Sequence, residues 1–192
     1  MCWPTGAAAA TSAWAQPPSI TTLYAVETPS CGGDTLFANM QTAYEELSAG
    51  ARRMVDSLTG VFSASLKYRP GGNRVAHHGR MTSMPITNME NADRYESKHP
   101  VARTHPQTGN KALYCSPTHA LHFDHMTERE SQPIIRMLNE HATIPEFTCR
   151  VRWEPGQLTL WDNRCTMHNA INDYHGARRE MRRLTVRPEK PV

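Results

Sequence analysis

The stretch Phe147-Thr-Cys-Arg-Val-Arg-Trp153 is followed at once by Glu154-Pro-Gly-Gln157 and Leu158-Thr-Leu-Trp-Asp162. The first segment alternates apolar and polar residues, which is typical of a β-strand with one buried face. Proline and glycine in the second segment favour a tight turn, and the third segment is again rich in strand-forming residues. The unit therefore predicts two strands joined by a turn.

Other segments extend this strand pattern toward both ends of the chain. Ser19 to Val26 is rich in β-branched residues, and Arg182 to Val186 forms a last short extended segment. Pro100 to Tyr114 holds a turn, Pro106 to Gly109, between two short strands. Strands dominate the second half, and the pattern has no β-α-β alternation. The chain is therefore predicted to be α+β and mainly β, with an antiparallel sheet or barrel and helices packed outside.

Two regions show helical patterns. Phe37 to Leu58 is predicted to form a helix in two pieces, with Ser48 as the N-cap of the second piece. Thr127-Glu-Arg-Glu130 has the composition of a capping box, so a helix is predicted to begin there. The buried stripe of that helix is predicted to contain Ile134, Ile135 and Leu138.

Two segments lack a regular pattern. Residues 1–16 are rich in alanine and uncharged, unlike the rest of the chain. From about residue 59 to 99, prolines, glycines and the pair His77-His78 interrupt any long element. A loop of that length in a domain is usually functional, so 59–99 is predicted to be a lid or irregular insert. Residues 17–192 are predicted to form one partial domain.

Composition excludes several classes of protein. The chain has 192 residues, a net charge of +3 and 39% hydrophobic residues, which fits one domain and gives no reason to expect nucleic acid as a partner. No apolar run approaches the length needed to span a membrane. The five cysteines are widely spaced without a C-x-x-C pair, which favours reduced thiols and a cytoplasmic protein. Because the first basic residue is Arg52, no secretory signal is expected.

The segment after the second strand carries the residues best suited to chemistry. His168 is a candidate metal ligand, and Arg179 and Arg183 follow it by 11 and 15 residues. A guanidinium group donates two parallel hydrogen bonds to a carboxylate, so these arginines are candidate anion ligands if their strand runs back beside His168. From spacing alone, a basic strand on a solvated face is the preferred interpretation of these arginines.

Five motifs occur in order and together resemble the taurine dioxygenase/phenoxyacetate dioxygenase family, TauD/TfdA, whose members are Fe(II)- and 2-oxoglutarate-dependent oxygenases. The resemblance covers about residues 17 to 187. The motifs are Gly32-Gly-Asp-Thr35, Thr42 to Ser48, His99 to Tyr114, Glu146 to Trp153, and Trp161-Asp-Asn-Arg with His168.

The resemblance implies a fold and a chemistry. The fold is a double-stranded β-helix, or jelly roll, with flanking helices. In the family, a His-x-Asp pair and a distal histidine hold iron as a facial triad with open positions for 2-oxoglutarate and O2. The implied reaction hydroxylates a small anionic organic substrate, a sulfonate or carboxylate, with Fe(II) and 2-oxoglutarate as cofactor and co-substrate.

Residue by residue, the resemblance assigns His168 as the distal iron ligand and therefore as a catalytic residue. Thr35 and Arg179 match the pair that binds the far carboxylate of 2-oxoglutarate. Arg183 matches a substrate-side arginine that some members use for a sulfonate or carboxylate. These four assignments rest on the family pattern.

The chain departs from the family at the first two iron ligands. The family places its His-x-Asp a little under thirty residues before the threonine of the Gly-Gly-Asp-Thr motif. Those positions hold Ala8 and Ala10 here, and a methyl group cannot bind iron. The expectation is a jelly roll that is incomplete at the N-terminus, with residues 1–16 replacing the family sequence.

Three other groups are candidates to replace the missing iron ligands. His122-Phe-Asp124 has the His-x-Asp spelling, but it directly precedes the helix at Thr127, where the family has a connector. Asp124 is therefore expected to end or cap local backbone. His77-His78 lies in the expected lid. Cys165 and His168 supply two ligands, which is too few for a structural site.

Three functions stay open on the sequence alone. The first is an iron- and 2-oxoglutarate-dependent oxygenase. The second is a non-catalytic remnant that keeps the scaffold without the iron site. The third is a small-anion binding module that uses the arginines without redox chemistry.

Overall fold

A computed structural model describes residues 13–64, 96–188 and 190–191. Within them the chain forms eleven strands and three α-helices. The strands are β1 Pro18–Glu27, β2 Thr35–Asn39, β3 Thr59–Ser63, β4 Glu96–Pro100, β5 Ala102–Thr104, β6 Lys111–Leu113, β7 Ala120–Phe123, β8 Thr148–Val151, β9 Leu158–Asp162, β10 Thr166–Ala170 and β11 Glu180–Pro188. The helices are α1 Met40–Glu45, α2 Ala49–Ser57 and α3 Glu128–Ala142. A 3-10 turn, Pro145–Phe147, precedes β8.

The strands form three three-stranded sheets and one hairpin. Their orders are β11-β1-β9, β10-β2-β8 and β4-β3-β7, and β5 pairs with β6. Every pairing among these described strands is antiparallel. The prediction of a mainly antiparallel β protein is confirmed.

Alternation along the first sheet separates a buried face from an exposed one. Thr21 and Ala25 of β1 and Trp161 of β9 are buried. The side chains between them point to the opposite face, because successive residues of a strand alternate. That face exposes the large apolar residues Tyr24, Leu158, Leu160, Leu184 and Val186.

The core lies between α1, α3 and the third sheet. Val55, Phe62, Leu113, Phe123 and Leu138 are almost fully buried there. Each such side chain contributes about 1.5–3 kcal/mol relative to remaining exposed. This cluster stabilises the part of the chain from which β2 and β10 extend toward the candidate site.

Both predicted helix caps are confirmed. The Ser48 side chain accepts a hydrogen bond from the Ala51 N–H at the start of α2. Thr127 and Glu130 form a reciprocal capping box at α3, with the Thr127 N–H donating to Glu130 at 2.8 Å. In the stripe predicted for α3, Ile135 and Leu138 are buried as expected.

Two predicted element boundaries are wrong. Phe37 lies in β2 and not in a helix, because its backbone pairs with distant strands on both sides. The helix begins only at Met40, where Asn39 accepts from two backbone N–H groups. Residues 59–99 are not irregular throughout, since β3 and β4 form at the two ends and pair with each other. Residues 65–95 lie outside the described part of the chain.

The four described cysteines, Cys31, Cys115, Cys149 and Cys165, are free thiols. Within the described ranges, no helix has the length and apolar character needed to cross a membrane.

Candidate functional site

A turn with two glycines brings β2 against the segment before β11. Gly32 and Gly33 have φ angles of +83° and +75°, a region that favours glycine. The Gly33 N–H donates to the Asp173 carboxylate at 2.7 Å. A Cβ atom on Gly33 would lie 3.1 Å from Arg179 Cδ and 3.2 Å from Tyr174 Cδ1. The absence of a side chain here therefore lets the backbone pack directly on Arg179.

Thr35 is the first residue of β2 and is buried. It lies opposite Ala170 on one side and Val151 on the other. The Trp153 indole N–H donates to the Thr35 hydroxyl oxygen at 2.9 Å. Thr35 is therefore held by strand pairing and by the hydrogen bond from Trp153, a residue that follows β8 in the chain.

Arg179 lies against two aromatic rings. Its guanidinium carbon is 6.0 Å from the centre of the Trp153 ring and 5.7 Å from that of Tyr174. Burial lowers the pKa of Arg179, while Tyr174 and the Asp34 carboxylate oppose that shift. An arginine nevertheless stays protonated at neutral pH.

Within the described part of the chain, two of the Arg179 nitrogens have no hydrogen-bond partner. These nitrogens, Nε and Nη2, are buried. A buried donor left unpaired costs about 1–3 kcal/mol, and more for a charged group. A carboxylate placed beside this edge of the guanidinium satisfies both donors at once. The chemistry of these two donors therefore suits a ligand that carries a carboxylate.

His168 lies on β10, opposite Phe37 of β2. Its ring centre is 4.9 Å from that of Trp161 and 6.1 Å from that of Phe37. Thr35 and His168 are diagonal neighbours on adjacent strands, because Thr35 pairs with Ala170. Such neighbours lie about 7–8 Å apart on one face of the sheet. His168 and Thr35 thus lie on the same face of this sheet.

The described residues do not complete an iron site at His168. A facial triad requires two more ligands beside it. Among the described residues, one group of three candidate ligand atoms lies close together, namely His105, Asp162 and Cys165, and it does not include His168. Ala8 and Ala10, which the family pattern places at the other two positions, lie outside the described ranges, as do His77 and His78.

The His122-Phe-Asp124 segment lies in a different sheet from His168. β7, which contains His122, pairs with β3. The Asp124 carboxylate accepts two hydrogen bonds of 2.9 Å from Lys98 Nζ. These bonds lower the pKa of Asp124, and a backbone bond to Thr59 fixes its position. Asp124 therefore closes the end of β7, as the sequence predicts.

Within the His105, Asp162 and Cys165 group, His105 and Asp162 belong to an ion-pair network with Arg164. Arg164 Nε and Nη2 donate to the Asp162 oxygens at 2.8 and 2.6 Å, and His105 Nε2 lies 3.1 Å from Asp162 Oδ2. Burial alone raises the pKa of Asp162, but hydrogen bonds from Arg164 and His105 bring it down to about 2. The guanidinium already neutralises the carboxylate and disfavours a cation there.

Arg183 stands apart from the other three predicted residues. It lies on β11 opposite Leu23, and its side chain is exposed. Four residues along a strand separate it from Arg179 by about 13 Å. Thr35 and His168 therefore share one face of their sheet, Arg179 lies next to Gly33 and Trp153, and Arg183 lies farther along the chain in β11.

Sequence reasoning missed the aromatic residues of the site. The sequence predicts Trp153 only as part of a strand and of the Glu146 to Trp153 motif, although its indole touches both Thr35 and Arg179. Tyr174 lies outside the five motifs, and it packs on Arg179. The one available signal for Trp153 is its place in that motif. Its contacts join distant positions of the chain, which spacing alone does not reveal.

Comparison with known proteins identifies relatives over most of the chain. A profile of the family described as "Taurine catabolism dioxygenase TauD, TfdA family" matches residues 10–185. An alpha-ketoglutarate-dependent sulfate ester dioxygenase of Pseudomonas putida is 35% identical over 187 residues, which cover 91% of this chain and 57% of that protein. An alpha-ketoglutarate-dependent 2,4-dichlorophenoxyacetate dioxygenase of Cupriavidus pinatubonensis is 34% identical, covering 85% of this chain and 53% of that protein.

Solved structures resemble the fold closely. The crystal structure of a taurine dioxygenase from Burkholderia xenovorans has a TM-score of 0.77 and 34% identity, covering 100% of this chain and 60% of that one. The expected jelly roll with flanking helices is therefore confirmed. The chain spans about half the length of the curated relatives that it matches.

Proposed function

This chain belongs to the TauD, TfdA family of dioxygenases, and from that premise we propose that Thr35 and Arg179 bind the far carboxylate of 2-oxoglutarate. The observation that carries the proposal is the buried edge of Arg179, whose Nε and Nη2 have no partner among the described residues. The unpaired donors belong to a fixed cation, so a dianionic ligand is the natural complement.

The proposed reaction is the family reaction, hydroxylation of a small organic anion with O2 and 2-oxoglutarate. Support for an anionic substrate comes from the names of the relatives, which act on a sulfate ester and on 2,4-dichlorophenoxyacetate. Arg183 is the proposed substrate-side cation. Its exposure leaves its guanidinium open to an anion approaching along β11. Residues 17–192 are proposed to act as one oxygenase domain.

Iron is the part of the proposal that the described residues fit least. His168 is proposed as one iron ligand, and the described residues supply no second and third ligand beside it. No step of the reaction is therefore assigned to a metal on this chain. The role of this chain's own residues is to bind and orient 2-oxoglutarate, with the Thr35 hydroxyl and the Arg179 guanidinium holding one end of the molecule.

A second candidate function follows because the described residues include the proposed carboxylate ligands but no complete iron site. Binding of a dicarboxylate without a metal needs only the proposed pair of Thr35 and Arg179, and both residues lie within the described part of the chain. The chain would then be an anion-binding scaffold of the dioxygenase family. The two candidates share the Arg179 site and differ in whether iron strengthens binding.

Calorimetric titration of 2-oxoglutarate tests the shared site. Arg179→Ala is expected to weaken binding by about a hundredfold, because two charge-assisted hydrogen bonds are lost. Arg178→Ala is the matched control, since Arg178 is the neighbouring arginine and forms exposed ion pairs with Glu27 and Glu180. Equal losses in both variants, or no binding by the unmodified protein, would refute the assignment.

Anaerobic titration with Fe(II) separates the two candidates. A visible charge-transfer band that appears with 2-oxoglutarate and is lost in His168→Ala supports the dioxygenase, with the remaining ligands supplied from outside the described residues. Binding of 2-oxoglutarate that is unchanged by Fe(II), without a band, supports the metal-independent scaffold.

A further inference from the structure

Trp153 contacts both members of the proposed anion-binding pair. It follows β8 and is buried, with 5% of its surface exposed. Its indole N–H donates to the Thr35 hydroxyl at 2.9 Å, and its ring lies 6.0 Å from the Arg179 guanidinium carbon. One side chain therefore constrains the two groups that would meet the ligand.

The hydrogen bond to Thr35 has a fixed polarity. An indole N–H is a donor and never an acceptor, whereas a hydroxyl has one hydrogen and two lone pairs. Since Thr35 Oγ1 accepts from Trp153, the Thr35 hydrogen must be directed elsewhere. A carboxylate only accepts hydrogen bonds. The indole therefore leaves the hydroxyl as a donor, which is the role that an anionic ligand requires.

The aromatic ring acts on the other member of the pair. A guanidinium within about 6 Å of a tryptophan ring is attracted to the face of that ring. Trp153 and Tyr174 both place a ring near the Arg179 guanidinium and so restrict its orientation. Its Nε and Nη2 edge is buried and unpaired among the described residues, so this edge stays available for a ligand.

We propose that Trp153 is a positioning residue that directs the Thr35 hydroxyl hydrogen toward the ligand and restricts the orientation of Arg179. This inference rests on the proposed 2-oxoglutarate site. It adds a specificity role, because the Thr35 hydrogen and the Arg179 donors directed at the ligand favour a carboxylate, which only accepts, over a neutral amide, whose NH2 group also donates. Trp153 thus selects the charged form of the ligand's far end.

The test is a double-mutant cycle measured by calorimetric binding of 2-oxoglutarate. Trp153→Phe keeps a ring and removes the N–H, so the Thr35 hydroxyl is free to rotate. It is expected to weaken binding about tenfold, the loss typical of one hydrogen bond to a charged group. Thr35→Val removes the hydroxyl and is expected to cost about the same. The double variant is expected to bind like Thr35→Val alone, because the indole has nothing left to orient.

A matched control removes an indole elsewhere. Trp14 is 44% exposed, and it accepts from His99 Nε2 through its backbone carbonyl, which phenylalanine retains. Trp14→Phe is expected to bind 2-oxoglutarate as the unmodified protein does. Binding of 2-oxoglutaramate, the far-end amide, supplies a second readout. The preference for 2-oxoglutarate over the amide is expected to fall in Trp153→Phe.

The outcomes separate the inference from its premise. If the unmodified protein does not bind 2-oxoglutarate, the proposed function fails and the inference fails with it. If it binds, but Trp153→Phe binds equally well or its loss adds fully to that of Thr35→Val, only the positioning role is overturned. If Trp153→Phe does not fold, the test follows the NMR signals of the tryptophan indole N–H groups instead. 2-Oxoglutarate is expected to shift the same indole signal that Thr35→Val shifts. A shift of a different indole signal overturns the positioning role of Trp153.

Discussion

Replacing Gly33 by alanine tests whether the close approach of the turn to Arg179 shapes the candidate site. Gly33 has a φ of +75°, and an added Cβ would lie 3.1 Å from Arg179 Cδ and 3.2 Å from Arg179 Nε. The backbone strain costs about 1–2 kcal/mol for a residue with a side chain. Crowding of a packed site adds about 1–3 kcal/mol. Gly33→Ala is therefore expected to lower the free energy of unfolding by about 2–5 kcal/mol.

Gly109 provides a matched control. Its φ is also +75°, but a Cβ there would meet nothing within 4 Å. Gly109→Ala is expected to show the strain alone, about 1–2 kcal/mol. The difference between the two variants isolates the contacts with Arg179 and Tyr174. In a chain of 192 residues, each kcal/mol corresponds to a fall in Tm of about 2–4 °C.

The assays are urea denaturation for stability and calorimetry for 2-oxoglutarate binding. Gly33→Ala is expected to bind 2-oxoglutarate about tenfold more weakly, because a displaced guanidinium loses one well-aligned hydrogen bond. Gly109→Ala is expected to bind normally. If both variants lose the same free energy of unfolding and Gly33→Ala binds normally, the turn does not position Arg179 and the reasoning fails.

Three further predictions concern single side chains. Thr127→Ala removes the capping box with Glu130 and is expected to cost about 1 kcal/mol in urea denaturation; an unchanged midpoint would contradict this. Asp162 has a native pKa of about 2, below its ordinary 3.8, so the stability it contributes is present above about pH 4 and is lost as the pH falls toward 2. Acid titration of stability should therefore show a shallower fall in that window for Asp162→Asn than for the unmodified protein, and parallel curves would contradict it. Arg183→Ala is expected to change stability by less than about 0.5 kcal/mol, because the side chain is exposed, and to leave 2-oxoglutarate binding unchanged in calorimetry.

The sequence predicts elements whose cause is local. Ser48 and Thr127 begin helices because their side chains accept from backbone N–H groups within three residues. β9 is predicted correctly because its strand-forming residues lie within the strand itself, Leu158–Asp162. Phe37 shows the limit of such reasoning. It adjoins a helical pattern, but its strand forms because β8 and β10, more than a hundred residues away, pair on both sides of it.

The candidate site also contains some residues that the sequence predicts and others that only the folded structure reveals. Thr35, Arg179 and His168 were predicted through the family resemblance, and the shared face of Thr35 and His168 follows from the pairing of β2 with β10. Trp153 was not predicted as a site residue, because its bond to Thr35 joins positions 118 residues apart. The pairing of Arg164 with Asp162 was also missed, although it decides that Asp162 and the neighbouring His105 belong to an ion-pair network.

The pairing of β1 with β11 has a consequence for how the protein is made. Ser19 donates to the Val186 carbonyl at 3.1 Å, across 167 positions of the chain. At about 5–20 residues per second, a ribosome needs roughly 10–30 s to synthesise that interval. During this time β1 lacks β11, the strand that pairs with most of its length. Contacts of such long range slow folding, and an unpaired β1 is a site where nascent chains associate. Recovery of folded protein should therefore depend on chaperones and growth temperature more than on the stability of the finished fold.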